Sequence, residues 1–155
     1  MKSSIPGKLY ITGEYGVIEG GHAILAPVRR FMFFDIRSHS EDTFVSKMVG
    51  RRSIKQHRVP TNILNPYLKA LEYLNVHNIE KKPFIITLKS ELDYDSFKLG
   101  LGSSGALNIG IINSILRFHG LRPSSITLFK LGVLSQFSLN DRTSYGDLCV
   151  HATNQ

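Results

Sequence analysis

Lys98-Leu99-Gly100-Leu101-Gly102-Ser103-Ser104-Gly105-Ala106 places three glycines and two serines directly before a long apolar segment. That segment, 106–118, is apolar nearly all round, which predicts a buried helix. Glycines let a backbone approach a ligand, and a helix N-terminus offers free N–H groups and a partial positive charge. The sequence therefore predicts a phosphate-binding loop formed by Gly100, Leu101, Gly102, Ser103, Ser104, Gly105 and Ala106.

This loop differs from two common nucleotide-binding patterns. No Lys-Ser or Lys-Thr pair follows Gly105, as a P-loop requires, and the glycine spacing is not G-x-G-x-x-G. Either serine hydroxyl can still hydrogen-bond a phosphate or join a Mg²⁺ shell. A Gly-Ser turn that merely caps a core helix is the alternative.

Two other segments contain candidate charged groups. Lys8 follows Pro6-Gly7 in a predicted first strand, from which its ammonium can reach a phosphate, and Glu14 follows at the strand-to-turn position. Gly146-Asp147 opens an apolar stretch, which predicts a carboxylate at a helix N-terminus, where it can orient a nucleophile or hold Mg²⁺. Taken singly, Lys8 is more typical of a surface lysine on an edge strand, and Gly146-Asp147 is more typical of a simple helix cap.

Composition limits the class of protein. The chain has 155 residues, of which 42% are hydrophobic and 20% charged, so it can bury a core. It has no apolar run of about 18 residues, no signal-peptide-like N-terminus, and a single cysteine, Cys149, that cannot form an internal disulfide. These features predict a soluble, cytoplasmic, single-domain protein without a membrane partner.

The net charge of +7 favours phosphate-bearing partners. The densest basic cluster, at 47–58, has no aromatic side chains between its charges, which predicts an exposed turn or hairpin and argues against nucleic acid.

The remaining pattern predicts alternating types of secondary structure without a regular βαβ order. We expect a strand over 30–39 with a hairpin partner over 43–49, and a second strand over 84–88. A helix over 65–76 is predicted with Asn65 as its cap and Pro66 in its first position, and another helix runs from Ser124 or Ser125 to Phe137. This mixture predicts an α+β fold.

Three motifs together resemble the GHMP kinases. They are P-G-K-L-x-x-x-G-E-Y-x-V-x-x-G-x-x-A-I at 6–24, G-L-G-S-S-G-A at 100–106, and S-x-G-D at 144–147. The resemblance implies the N-terminal domain of a GHMP kinase, similar to domain 2 of ribosomal protein S5, with a mixed sheet and helices packed on one face. Within the superfamily, Glu14-Tyr15, the F-K-L-G entry at 97–100 and S-Y-G-D-L at 144–148 are most similar to bacterial phosphomevalonate kinases.

The resemblance also implies a reaction and residue roles. ATP would transfer its γ-phosphate to 5-phosphomevalonate, giving 5-diphosphomevalonate for isoprenoid synthesis. Residues 100–106 would hold the ATP phosphates, Ser104 would help hold Mg²⁺, and Lys8 would lie near both reacting phosphates. Asp147 would orient the acceptor, and the substrate site would also include Glu14, Ser144 and Gly146.

The resemblance implies a longer enzyme as well. GHMP kinases have two domains and about twice this length, so residues 1–155 would form the N-terminal nucleotide-binding domain without the C-terminal domain. We expect weak or no activity from it alone, and self-association through apolar surface that a second domain would cover. The alternatives are mevalonate kinase or another GHMP small-molecule kinase, and a non-catalytic basic S5-like domain that binds RNA or a partner protein.

Overall fold

The computed structural model describes residues 1–47, 50–55, 58–94, 97–137 and 145–154. The helices are α1 (Thr61–Val76), α2 (Ser103–Phe118), α3 (Ser125–Phe137) and α4 (Gly146–Thr153). The strands are β1 (Lys2–Thr12), β2 (Ile24–Ser38), β3 (Thr43–Ser46), β4 (Gly50–Ser53), β5 (Phe84–Ser90), β6 (Asp93–Tyr94) and β7 (Phe97–Lys98), and a 3-10 turn spans Gly16–Glu19. No helix in the described ranges combines the length and hydropathy that crossing a bilayer demands.

Within the described residues, five strands form a mixed sheet in the order β1-β2-β5-β3-β4, in which β3 and β5 are parallel and the other neighbours are antiparallel. The predicted hairpin between β2 and β3 is therefore wrong: β3 pairs with β4 and β5, and β5 lies between β2 and β3. A buried carboxylate helps to fix this order, because Asp42, directly before β3, accepts the backbone N–H of Phe84 at 3.2 Å. The basic run does form a hairpin strand, β4, with Arg51 and Arg52 exposed, whereas His57 lies outside the described residues.

The helices pack on one face of the sheet, as expected. Met32, Phe34 and Ile36 alternate along β2 and are buried towards them. α2 is buried from Gly105 to Leu116 and lies directly on β2, because the ring of Phe34 occupies the place of a Gly110 side chain. Gly110 therefore sets the close approach of α2 to the sheet.

α1 begins four residues earlier than the sequence predicts. It starts at Thr61 after Pro60, so Asn65 is not its cap and Pro66 lies inside the helix. The Asn65 side chain instead donates to the backbone carbonyl of Ser135 at 3.2 Å. Cap statistics favoured Asn65-Pro66, but burial of Ile63 and Pro66 against the core decides where the helix starts.

α3 is capped as predicted, since the N–H of Thr127 donates to Ser124 Oγ at 3.1 Å. Leu128 and Leu131 of this helix are buried, whereas the side chain of Leu134 is exposed.

Candidate functional site

The glycine-rich loop leads directly into α2. Gly100 and Gly102 both have positive φ, 71° and 75°, which only glycine adopts readily. α2 begins at Ser103, three residues before the predicted start, so the two serines form its first turn. Its N-cap, Gly102, provides no side-chain hydrogen bond, and the first turn contains no acidic residue. The free N–H groups and the positive pole of α2 therefore remain available to an anion.

Lys8 lies beneath this loop and is 6% exposed. Its backbone N–H donates to the carbonyl of Leu101 at 2.9 Å, and its side-chain carbons would lie within 3.1 Å of a Cβ on Gly102. Lys8 does lie on an edge strand, as predicted, but the alternative that it is a surface lysine is wrong because its side chain is buried.

A break in the β1–β2 register explains how Lys8 becomes buried. Ile5 and Lys8 are three residues apart, so a regular strand would direct them to opposite faces. The register shifts between Pro6 and Gly7, and both Ile5 and Lys8 are buried. The irregularity therefore supplies the site with a lysine that simple alternation would not place there.

Asp147 lies in the first turn of α4, as the sequence predicts, and pairs with Lys8. The Lys8 Nζ to Asp147 Oδ1 distance is 3.1 Å, and the Asp147 side chain is 34% exposed. The Lys8 Nζ also lies 4.3 Å from the ring centroid of Tyr10, a cation–π contact. A fixed ammonium and a partly open carboxylate thus stand beside the loop.

The sequence interpretation missed His151. It lies on α4 one turn after Asp147, is fully buried, and its Nε2 is 3.1 Å from the carbonyl oxygen of Gly102. Burial lowers the pKa of His151 most strongly; Asp147 and the carbonyls of Pro6 and Gly102 oppose this, and Lys8 adds to the lowering. The sequence did contain a signal for His151, because a polar residue four positions after Asp147 in an apolar helix lies on the same helix face as Asp147.

The other predicted substrate residues have different outcomes. Gly146 is the first residue of α4, next to Asp147. Glu14 is exposed in the turn after β1 and has no hydrogen bond or ion pair with any described residue, so the structure does not bring it to Lys8 and Asp147. Ser144 lies outside the described residues.

The donor set fits a magnesium ion carried by phosphate rather than an ion held by protein alone. Within the described residues, no three His, Cys, Asp or Glu side chains converge on one point. Mg²⁺ in phosphoryl-transfer sites usually needs one or two protein oxygens besides phosphates and water. The exposed Ser104 and the partly exposed Asp147 provide oxygens of that kind.

Comparison with known proteins gives a consistent result. No family model matches the chain. Over 92% of its length it is 28% identical to the phosphomevalonate kinase of Streptomyces sp. (strain CL190), and over 96% it is 26% identical to the mevalonate kinase of Aeropyrum pernix. The chain is homologous to the GHMP kinases.

A solved structure shares the fold. Streptococcus pneumoniae phosphomevalonate kinase, in complex with phosphomevalonate and AMPPNP, superposes on 99% of this chain with a TM-score of 0.90 and 25% identity. The chain spans about half the length of these relatives, 45% and 47% of the two kinases above and 47% of the solved one. The α+β fold with helices on one face of a mixed sheet is therefore that of the homologous part of GHMP kinases.

Proposed function

We propose that this chain is the nucleotide-binding domain of a phosphotransferase that transfers the γ-phosphate of ATP to 5-phosphomevalonate. One observation carries the proposal: Lys8 joins the two halves of the site, through its backbone to the glycine-rich loop and through its ammonium to Asp147. Phosphoryl transfer needs such a convergence of anion-binding N–H groups, a cation and an orienting carboxylate.

Each part of the site has a role in this reaction. The N–H groups at the start of α2 hold the ATP phosphates, with Gly100 to Ala106 allowing close approach. Lys8 neutralises charge between donor and acceptor, and Asp147 orients the acceptor. Ser104 would help to hold the Mg²⁺ that accompanies ATP, and that ion would supply further charge neutralisation. Gly146, next to Asp147 at the start of α4, contributes to the acceptor side together with Ser144, whereas Glu14 is exposed in the turn after β1 and is left out of this role.

The acceptor determines how much chemistry the protein must provide. A phosphate oxygen is ionised at neutral pH, so the acceptor needs positioning rather than deprotonation. Asp147 suits this task because it is already paired with Lys8 at 3.1 Å. Mevalonate, the acceptor of the second candidate function, carries a hydroxyl instead and would need its proton removed; the 26% identity to the Aeropyrum pernix mevalonate kinase supports that alternative.

The length of the relatives bears on activity. Because they are about twice as long as this chain, we propose that complete turnover uses a second domain like theirs. We expect residues 1–155 alone to bind Mg²⁺-nucleotide but to transfer phosphate slowly or not at all.

Nucleotide binding is the first test. Calorimetric titration of the chain with Mg²⁺-AMPPNP should give a measurable Kd that Lys8→Met and Ser104→Ala both weaken at least tenfold. Lys69→Met is the matched control, because Lys69 pairs with Glu72 on the surface of α1, and it should bind as the original chain does. Absence of nucleotide binding, together with salt-dependent RNA binding, would favour the basic-domain alternative.

The acceptor is tested separately. In the presence of Mg²⁺-AMPPNP, 5-phosphomevalonate should raise the unfolding temperature and mevalonate should not. The opposite pattern would assign mevalonate as the acceptor.

We further propose that the chain self-associates through apolar side chains at one end of the β1–β2 pair. Five large apolar residues are more than half exposed there: Leu9, Ile11, Tyr15, Ile18 and Ile24. Such a cluster is typical of an interface. Light scattering should show a mass that rises with concentration, and a constant monomer mass would contradict this proposal.

A further inference from the structure

His151 occupies a position between the carboxylate and the glycine-rich loop. Its imidazole is fully buried and its Nε2 lies 3.1 Å from the carbonyl oxygen of Gly102. Because a carbonyl only accepts hydrogen bonds, Nε2 is the protonated nitrogen in this contact. The same carbonyl accepts the N–H of Ala106 at 2.9 Å, so His151 contacts the atom that starts α2.

The imidazole also explains two of the glycines. A Cβ on Gly102 would lie 2.8 Å from His151 Nε2, and a Cβ on Gly105 would lie 2.9 Å from His151 Cδ2. Both distances are too short for real carbon contacts. The imidazole therefore packs against the loop in space that only glycine leaves free.

Lys8, Asp147, His151 and the glycine-rich loop form a closed circuit of contacts. Lys8 donates its N–H to Leu101 and pairs through Nζ with Asp147. Asp147 and His151 lie one turn apart on α4, and His151 returns to the loop at Gly102. The loop and the carboxylate are thus joined by two routes, one through Lys8 and one through His151.

The surroundings of the ring keep it neutral at pH 7. Burial lowers its pKa, and the two charges that act on it are Asp147 on its own helix and Lys8 on β1, which oppose each other. The first two turns of α2 contain no ionisable side chain, and that of Lys130 on α3 is exposed. The charged residues of β2 are at least partly exposed: Arg29, Arg30, Asp35 and Arg37.

From this geometry we infer that His151 is a positioning residue that holds the Asp147 carboxylate in register with the glycine-rich loop. It is not a catalytic residue, because its imidazole is fully buried and its Nε2 contacts the Gly102 carbonyl of the protein itself. This inference extends the proposed function, since the loop it supports is the one assigned to ATP.

The first experiment does not depend on nucleotide. In NMR spectra of the full chain, the backbone amides of Ser103, Ser104 and Gly105 should shift between pH 7.5 and 5 with the midpoint of the His151 ring. In His151→Gln this shift should disappear, and in His77→Gln, which changes an exposed histidine, it should persist. If the amide shifts of the loop do not change with the same midpoint as the His151 imidazole, the inference is overturned, even before any variant is made.

The second experiment measures Mg²⁺-AMPPNP affinity. His151→Leu keeps much of the volume but loses the donor, and should weaken binding about fivefold, the equivalent of one neutral hydrogen bond. His151→Gln retains an N–H donor at similar reach and should recover most of the affinity, while His77→Gln should not change it. Equal losses in the Leu and Gln variants, or none in His151→Leu, would contradict a positioning role.

The two experiments separate this inference from the proposed function. If the original chain binds no nucleotide while the loop amides follow His151, the proposed function fails and the positioning role stands. If nucleotide binds but the loop amides ignore the ring, the function stands and the positioning role fails.

Discussion

Lys8 and Asp42 are both charged and buried, and each pairs with a more exposed residue of opposite charge, but their surroundings differ. Both oxygens of Asp42 are used by the protein: it accepts from Tyr67 Oη at 2.7 Å and from the N–H of Phe84 at 3.2 Å, and pairs with Lys81 at 2.5 Å. The Lys8–Asp147 pair lies instead beside free helix N–H groups, and Asp147 makes no other ion pair or hydrogen bond within the described residues.

This difference separates a structural charge from the charge that we propose to be functional. Burial alone does not identify a site, because Asp42 is as buried as Lys8. A buried charge whose partners are all protein groups stabilises one arrangement of strands, whereas one with an open partner can exchange it for a ligand. Variants around Asp42 should therefore change mainly the free energy of unfolding, whereas variants around Lys8 and Asp147 should also change nucleotide binding.

The largest expected effect on stability is at Asp42. Asp42→Ala should lower the free energy of unfolding by about 3–5 kcal/mol, because it leaves a buried tyrosine hydroxyl and a buried N–H unpaired. Urea unfolding checks this, with Glu72→Ala in the exposed Lys69–Glu72 pair as control, expected to cost about 0.5 kcal/mol or less. A small loss of unfolding free energy in Asp42→Ala would remove the contrast between Asp42 and the Lys8–Asp147 pair.

Gly105→Ala should have the next largest effect and should act on both stability and binding. The added Cβ would lie 2.9 Å from His151 Cδ2 and 3.2 Å from Asp147 Cβ, so α4 must shift. We expect a loss of about 1–3 kcal/mol in unfolding free energy and weaker Mg²⁺-AMPPNP binding. Gly16→Ala, where a Cβ meets nothing within 4 Å, should leave both unchanged.

Tyr67→Phe should cost less, about 1 kcal/mol, because it removes one hydrogen bond to Asp42 without moving the ring. Burial and the nearby carboxylate of Asp42 raise the pKa of Tyr67. Ultraviolet titration should therefore show one tyrosine that ionises later than the others in the original chain and is absent from the variant. Unchanged nucleotide affinity in Tyr67→Phe is also expected, and a large loss would link this cluster to the site.

The smallest effect is the pH dependence from His151. Its pKa in the folded chain is below 6.5, so the unfolded chain binds more protons and stability falls as the pH drops below about 6.5. The difference in unfolding free energy between pH 7.5 and 5.5 should be smaller in His151→Gln than in the original chain. An identical difference in both would show that His151 does not carry this dependence.

Much of the site followed from local sequence patterns. The glycines before an apolar segment predicted a loop and a buried helix, and Gly146-Asp147 predicted a carboxylate at a helix start, because turns and caps depend on a few neighbouring residues. The α+β class followed for the same reason.

Tertiary structure decided what depends on distant residues. Four features depend on contacts between segments far apart in the chain. They are the pairing of β3 with β5, the start of α1 before Pro66, the burial of Lys8, and the packing of His151 on Gly102 and Gly105. Local propensity is weaker than the burial of apolar surface and the pairing of buried polar groups, so these contacts, rather than sequence neighbours, determined the result.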